Sequence, residues 1–169
     1  MKKMLLIAAP VLLCFFVSCK DAEKEKADQM KAANAAIYKA VETGDVSKVD
    51  SFIAKDAIDH GMDVKDVVGV DNIKKSLGEM HSQFTNMKIE VVSAAVDGDM
   101  SLTLTRMTGT PTAPAGAPAV NTLSVDVVKW KDGKAVEHWG YSDPRDMMKM
   151  MAPSNAPAMA PAAATPEKK

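Results

Sequence analysis

The hydrophobic period of this chain changes near Asn86, from three- and four-residue steps to strict alternation. A chain that places helices first and hairpin-linked strands afterwards folds as an α+β domain, its helices gathered on one face of a mostly antiparallel sheet. Upstream, Met30, Ala33, Ile37, Ala40 and Val41 mark the apolar stripe of a first helix, which Gly44 ends. Asp45 predicts a cap for a second, short helix over 46–53, with Val49, Phe52 and Ile53 inward. Ala57 and Ile58 form a short extended piece leading into Asp59-His60-Gly61, and Asp71 caps a third helix over 71–83 with Ile73, Leu77 and Met80 inward.

Downstream, residues 88–96, 101–109, 120–130 and 134–141 read as strands rich in Val, Ile, Leu and Thr. Asp97-Gly98-Asp99 and Asp132-Gly133 supply the positive φ that tight hairpin turns need. The stretch 110–119 carries Pro111, Pro114 and Pro118, which donate no ladder hydrogen bond, so it is a loop.

The two ends have a different character. Lys2 and Lys3 precede an apolar run over 4–17, broken only by Pro10, that is short for a membrane span and reads as a secretory signal. It closes on Phe16-Val17-Ser18-Cys19, which resembles the lipobox of bacterial lipoproteins, with Cys19 as the lipidated residue. The expected organisation is a signal over 1–18, a charged tether over 19–29, one domain over 30–151 and an Ala/Pro-rich tail over 152–169 that cannot bury enough to order itself. The expected location is outside the cytoplasm, anchored to a bacterial membrane, either on the periplasmic side of the outer membrane or at the cell surface.

Composition excludes several functions. Removal of Cys14 with the signal leaves no cysteine but the anchored one, so neither a disulfide nor a thiol nucleophile is expected. A net charge of −1 without a basic stripe argues against nucleic acid. His60, His81 and His138 are scattered, without metal-ligand spacing, so no metal and no cofactor is expected.

Several local words, in order, carry a resemblance. They are Gly44-Asp45, Asp56 through His60, Phe84-Thr85-Asn86, Gly109-Thr110, and Asp132-Gly133-Lys134 followed by Glu137-His138-Trp139 and Asp143. In this sequence of words the chain resembles the SnoaL-like polyketide cyclase branch of the nuclear transport factor two-like superfamily. The resemblance implies a cone-shaped fold, three N-terminal helices over a curved sheet, a ligand pocket in the cone and frequent dimers. It also places the family's first pocket histidine on His60, its second on Asp126 and its catalytic carboxylate on Gly140. Glycine supplies no base, so an altered couple of His60 with Asp126 takes its place as the candidate catalytic pair.

Alternation puts Asp126, Val128 and Trp130 on one face of their strand and His138, Gly140 and Ser142 on one face of the last. Tyr38 lies beside the stripe of the first helix and, with Val128, Trp130 and His138, completes the expected ligand wall. Trp139 and Tyr141 point the other way, to a sheet face suited to a homodimer. The expected function is binding of a small apolar or amphipathic molecule. The alternatives are cyclase- or isomerase-type chemistry by His60 with Asp126, and a protein-interaction module working through the sheet face.

Overall fold

In a computed structural model, residues 14–61 and 65–151 are described. Most of the expected signal and the whole Ala/Pro-rich tail lie outside them. Helix α1 spans Cys14–Thr43, a single 3-10 turn spans Val49–Ser51, and strands β1 (Ile53–Asp59) and β2 (Val67–Val68) precede helix α2 (Val70–Ser82). Strands β3 (Phe84–Asp97), β4 (Met100–Pro111), β5 (Val120–Lys131) and β6 (Lys134–Ser142) follow, and α3 covers Pro144–Met151. They form one curved, six-stranded sheet in the order β2-β1-β6-β5-β4-β3. All neighbours are antiparallel except β1 and β6, which run parallel.

The first helix carries the expected stripe, with Met30, Ala33, Ala40 and Val41 buried and Ile37 packed against the core. It also extends back through the predicted tether, where Asp21 to Lys26 are all exposed. No helix of the described residues is long and apolar enough to cross a membrane. Gly44 ends α1 at φ +73, and a Cβ there would lie 2.7 Å from the His81 ring. That ring is fixed by the α1 terminus itself, its Nδ1 standing 3.0 Å from the Val41 carbonyl. Glu42 ties the same end to the sheet by accepting the Ile89 N–H at 2.7 Å.

The second predicted helix does not form, so two helices, not three, precede β3. Asp45 does take the Ser47 N–H at 3.0 Å, but only one 3-10 turn follows. A segment this short gains little from helix propagation. Its last apolar residue, Ile53, instead opens β1 and pairs with Ala135. The four predicted strands form, but β3 begins earlier, at Phe84, and β4 runs on through Pro111 into the expected loop, where the two pair. Both Asp-Gly turns form, with Gly98 at φ 61 and Asp132-Gly133 at 50 and 76. Register shifts in the β3–β4 and β5–β6 ladders bend the sheet, as extra residues on one strand do. The helices pack on its concave face, over a core of Val49, Ile73, Val128, Trp130 and Ala135.

Candidate functional site

Between the helices and the inner face of the sheet lies a cavity of about 170 Å³. Its wall is mainly apolar, built from Ile37 of α1, Ile73, Leu77 and Met80 of α2, and Ile89, Met107 and Val128 of the sheet. Among the polar side chains on this wall, Tyr38 from α1, Asp59 from β1, Asp126 from β5 and His138 from β6 form one connected cluster.

Strand register brings them together. His138 is the ladder partner of both Val128 and Asp59, and Asp126 is the partner of Gly140. The His138 ring therefore lies between two carboxylates, Nδ1 at 2.8 Å from Asp59 Oδ1 and Nε2 at 3.3 Å from Asp126 Oδ1. The Tyr38 hydroxyl donates to Asp126 Oδ2 at 2.9 Å, and the Thr105 hydroxyl stands 3.4 Å from the same oxygen. The backbone N–H of Gly61 donates to Asp59 Oδ1 at 2.8 Å.

Ionised carboxylates only accept hydrogen bonds, so both nitrogens of His138 carry protons and the ring is an imidazolium. Burial opposes that charge, yet the hydrogen bonds and charges of Asp126 and Asp59 outweigh it and raise the His138 pKa to about 9. Burial likewise pushes the Asp59 carboxyl up, but the hydrogen bond and charge of His138 and the Gly61 N–H overcome it and hold the group below the usual carboxylate range. For Tyr38, burial and then the negative charge of Asp126 drive the phenol well above its ordinary range, so it stays a donor.

The structure does not bring His60 to Asp126. The backbone N–H of His60 continues the β1–β6 ladder by donating to the His138 carbonyl at 2.8 Å. Its ring stacks on Trp139 with centroids 5.1 Å apart, and its Nδ1 lies 2.9 Å from Asp66. Successive side chains of an extended strand point to opposite faces, so Asp59 and not His60 reaches the cavity. Sequence reasoning missed Asp59, although buried Ala57, two residues earlier, marks the parity of that face. Tyr38, Val128 and His138 line the cavity as expected, but Trp130 does not. Trp130 is buried in the core, with its indole N–H on Ser101 Oγ at 2.8 Å.

Gly140 is the ladder partner of Asp126 and is not among the residues that line the cavity. A Cβ added there would lie 3.6 Å from the His138 ring and 3.8 Å from Asp126 Oδ1, which is ordinary contact. On the other face of the sheet Tyr141 is 59% exposed, and Leu102 and Leu123 are exposed nearby on β4 and β5. Among the described residues no group of three or more His, Cys, Asp and Glu side chains is arranged to hold a metal ion.

Comparison with known proteins gives this geometry a context. The family profile of the SnoaL-like domain matches residues 35–138. No functionally curated protein matches the chain. Among solved structures, a protein assigned as a SnoaL-like polyketide cyclase from Jannaschia sp. CCS1 superposes with a TM-score of 0.66 at 16% identity, covering 78% of this chain and 95% of that one. Wild-type IdmH from Streptomyces antibioticus, assigned as a polyketide cyclase, gives 0.61 at 24% identity over 73% of this chain and 98% of its own. An LEH-like epoxide hydrolase of M. tuberculosis gives 0.61 at 19% identity over 73% and 90%. Likeness at these identities establishes the shared fold.

Proposed function

We propose a function on the premise that this chain belongs to the SnoaL-like domain family: its cavity binds a small, largely apolar molecule whose polar group meets the Asp126–His138–Tyr38 cluster. The observation that carries this reading is a preformed apolar cavity with a few convergent polar groups at one wall. Purification of the protein from its native host, followed by mass spectrometry of what travels with it, tests the reading. A stoichiometric apolar compound that Val128→Trp displaces supports it. A cavity filled by side chains in a crystal structure, with no compound carried, overturns it.

The enzyme reading has one specific observation in its favour. Asp126 accepts hydrogen bonds from a neutral phenol and an imidazolium while facing the cavity, an arrangement able to take a proton from a bound molecule and return it. Such chemistry rests on Asp126 with His138 and not on His60. The polyketide cyclase, epoxide hydrolase and hydroxylase names of the structural neighbours make it the natural alternative. Turnover of the co-purified compound that Asp126→Asn abolishes while binding persists would favour it.

The domain works outside the cytoplasm on a lipid carried by Cys19. Support comes from the lysine-led apolar run ending in Phe16-Val17-Ser18-Cys19, and from the exposed charged residues that separate Cys19 from the first buried side chain, Met30. Cys19→Ala should leave the protein unprocessed or release it from membranes, as read by fractionation and by the mass of the N-terminus. Normal cleavage with unchanged membrane retention would rule the anchor out. The exposed face bearing Tyr141, Leu102 and Leu123 suits a homodimer. Light scattering should give about twice the monomer mass, falling to the monomer on Tyr141→Glu, and a monomeric wild type at high concentration removes the dimer.

A further inference from the structure

We propose that the cavity selects a ligand that donates rather than accepts, and specifically a small apolar molecule bearing a protonated amine. The inference rests on the cavity-binding reading above and names its ligand class. Two observations support it, one from hydrogen-bond supply and one from charge.

The side-chain donors on the cavity wall are already committed. Asn34 Nδ2 donates to Ser101 and Thr103 at 3.0 and 3.3 Å. The Tyr38 hydroxyl is spent on Asp126, and that of Thr105 lies between Asp126 and the Ser124 carbonyl. Ser124 shares its hydroxyl with Ser142 at 3.0 Å. Both His138 nitrogens point at carboxylates. An incoming carbonyl or carboxylate would have to break one of these bonds to be satisfied, and a buried acceptor left unpaired is costly. Acceptor capacity, by contrast, is in surplus. No described residue donates to Asp59 Oδ2, and Asp126 can accept on about four lone-pair sites across its two oxygens.

The charge balance points the same way. Two carboxylates flank one imidazolium, so the cluster keeps one uncompensated negative charge at the edge of a mainly apolar cavity. Glu137, also on the wall, does not change the sign, since it faces Lys129 Nζ at 3.3 Å. A cation entering here meets a charge-assisted acceptor in a site with little competing water, while an anion meets a like charge. The volume limits the rest of the molecule. A cavity of about 170 Å³ is close to the roughly 150 Å³ that holds benzene in another protein. One ring with a short arm fits.

The test uses four near-isosteric probes on the full chain at pH 7: toluene, benzyl alcohol, benzylamine and benzoate. Binding is read from the NMR signals of the His138 ring and Tyr38, so partition elsewhere does not register. Benzylamine should bind about tenfold or more tighter than benzyl alcohol, with benzoate weakest, and Asp126→Asn should narrow the gap between the first two. Benzylamine binding no tighter than benzyl alcohol, or benzoate matching benzylamine, overturns the selectivity while leaving cavity binding intact. No response to any of the four, toluene included, removes the cavity reading and the amine with it. The wild-type comparison decides the matter even where the variant fails to fold.

Discussion

Trp130→Ala should destabilise the domain by about 3–5 kcal/mol, as truncation of a buried tryptophan commonly does. Trp130 is 3% exposed and belongs to the core formed by the helices and sheet. Its indole N–H is also one arm of a three-way junction. Ser101, 1% exposed on β4, receives that N–H at 2.8 Å and the Asn34 amide of α1 at 3.0 Å. Removing the ring therefore opens a cavity and loosens the polar link between helix and sheet. In a domain of this size the loss corresponds to a fall of about 10–20 °C in Tm. Trp130→Phe keeps most of the volume but drops the donor, and should cost about 1–2 kcal/mol. Thermal unfolding followed by circular dichroism measures both. A loss below about 1 kcal/mol for the alanine variant would mean that this ring does not hold the two layers together.

The second large effect belongs to His138→Ala. Without the imidazolium, Asp59 and Asp126 face each other across the cavity wall with no cation between them. Breaking a buried pair costs about 3–5 kcal/mol, and the 33% exposure of His138 lowers the expectation to about 2–3 kcal/mol at pH 7. The pH dependence has a definite sign. A folded pKa raised from 6.5 to about 9 means that the histidine's contribution is complete below pH 6.5 and disappears as pH rises through 9. Asp59, held below its ordinary 3.8, contributes above that value and loses its contribution as pH falls beneath it. Tyr38, raised above 10, stays neutral through both windows. Wild-type stability should therefore be level from about pH 4 to 6.5 as far as this cluster decides it, then fall by about 1–2 kcal/mol toward pH 9 once solvent screening is allowed for. Urea denaturation at pH 6, 7.5 and 9 measures the slope. His138→Ala should lack it, and a wild type equally stable at pH 6 and 9 would show that the ring is not held as a cation.

Local chemistry made much of this fold legible. The Asp-Gly turns and the alternation of β3 to β6 come from short stretches whose meaning does not depend on distant chain, and the stripe of α1 is a local period. The second helix failed because its eight residues carried a helical pattern too short to resist recruitment of Ile53 into a ladder with Ala135. The site was harder for a related reason. His138 and Asp59 lie 79 residues apart and meet through the parallel pairing of β1 with β6, which no local pattern announces. His60 comes from the family resemblance, whereas the side chain that reaches the cavity is its neighbour Asp59, and on a sheet one residue exchanges the inside for the outside. Asp126 and His138 do reach the inner face, where alternation supplied only the side chains that share a face and the resemblance supplied which face that is. What was not legible there was that they touch.

The opposed pair Asp126 and Gly140 has a consequence for how such a domain changes over generations. A glycine codon becomes an aspartate or a glutamate codon by a single base change, and position 140 has ordinary clearance for a Cβ beside Asp126 and His138. An acidic group can thus be gained on one strand before it is given up on its neighbour, with no intermediate lineage that lacks one. Within this scaffold, an acid can cross from strand to strand by mutation while the imidazole beside it keeps a partner throughout.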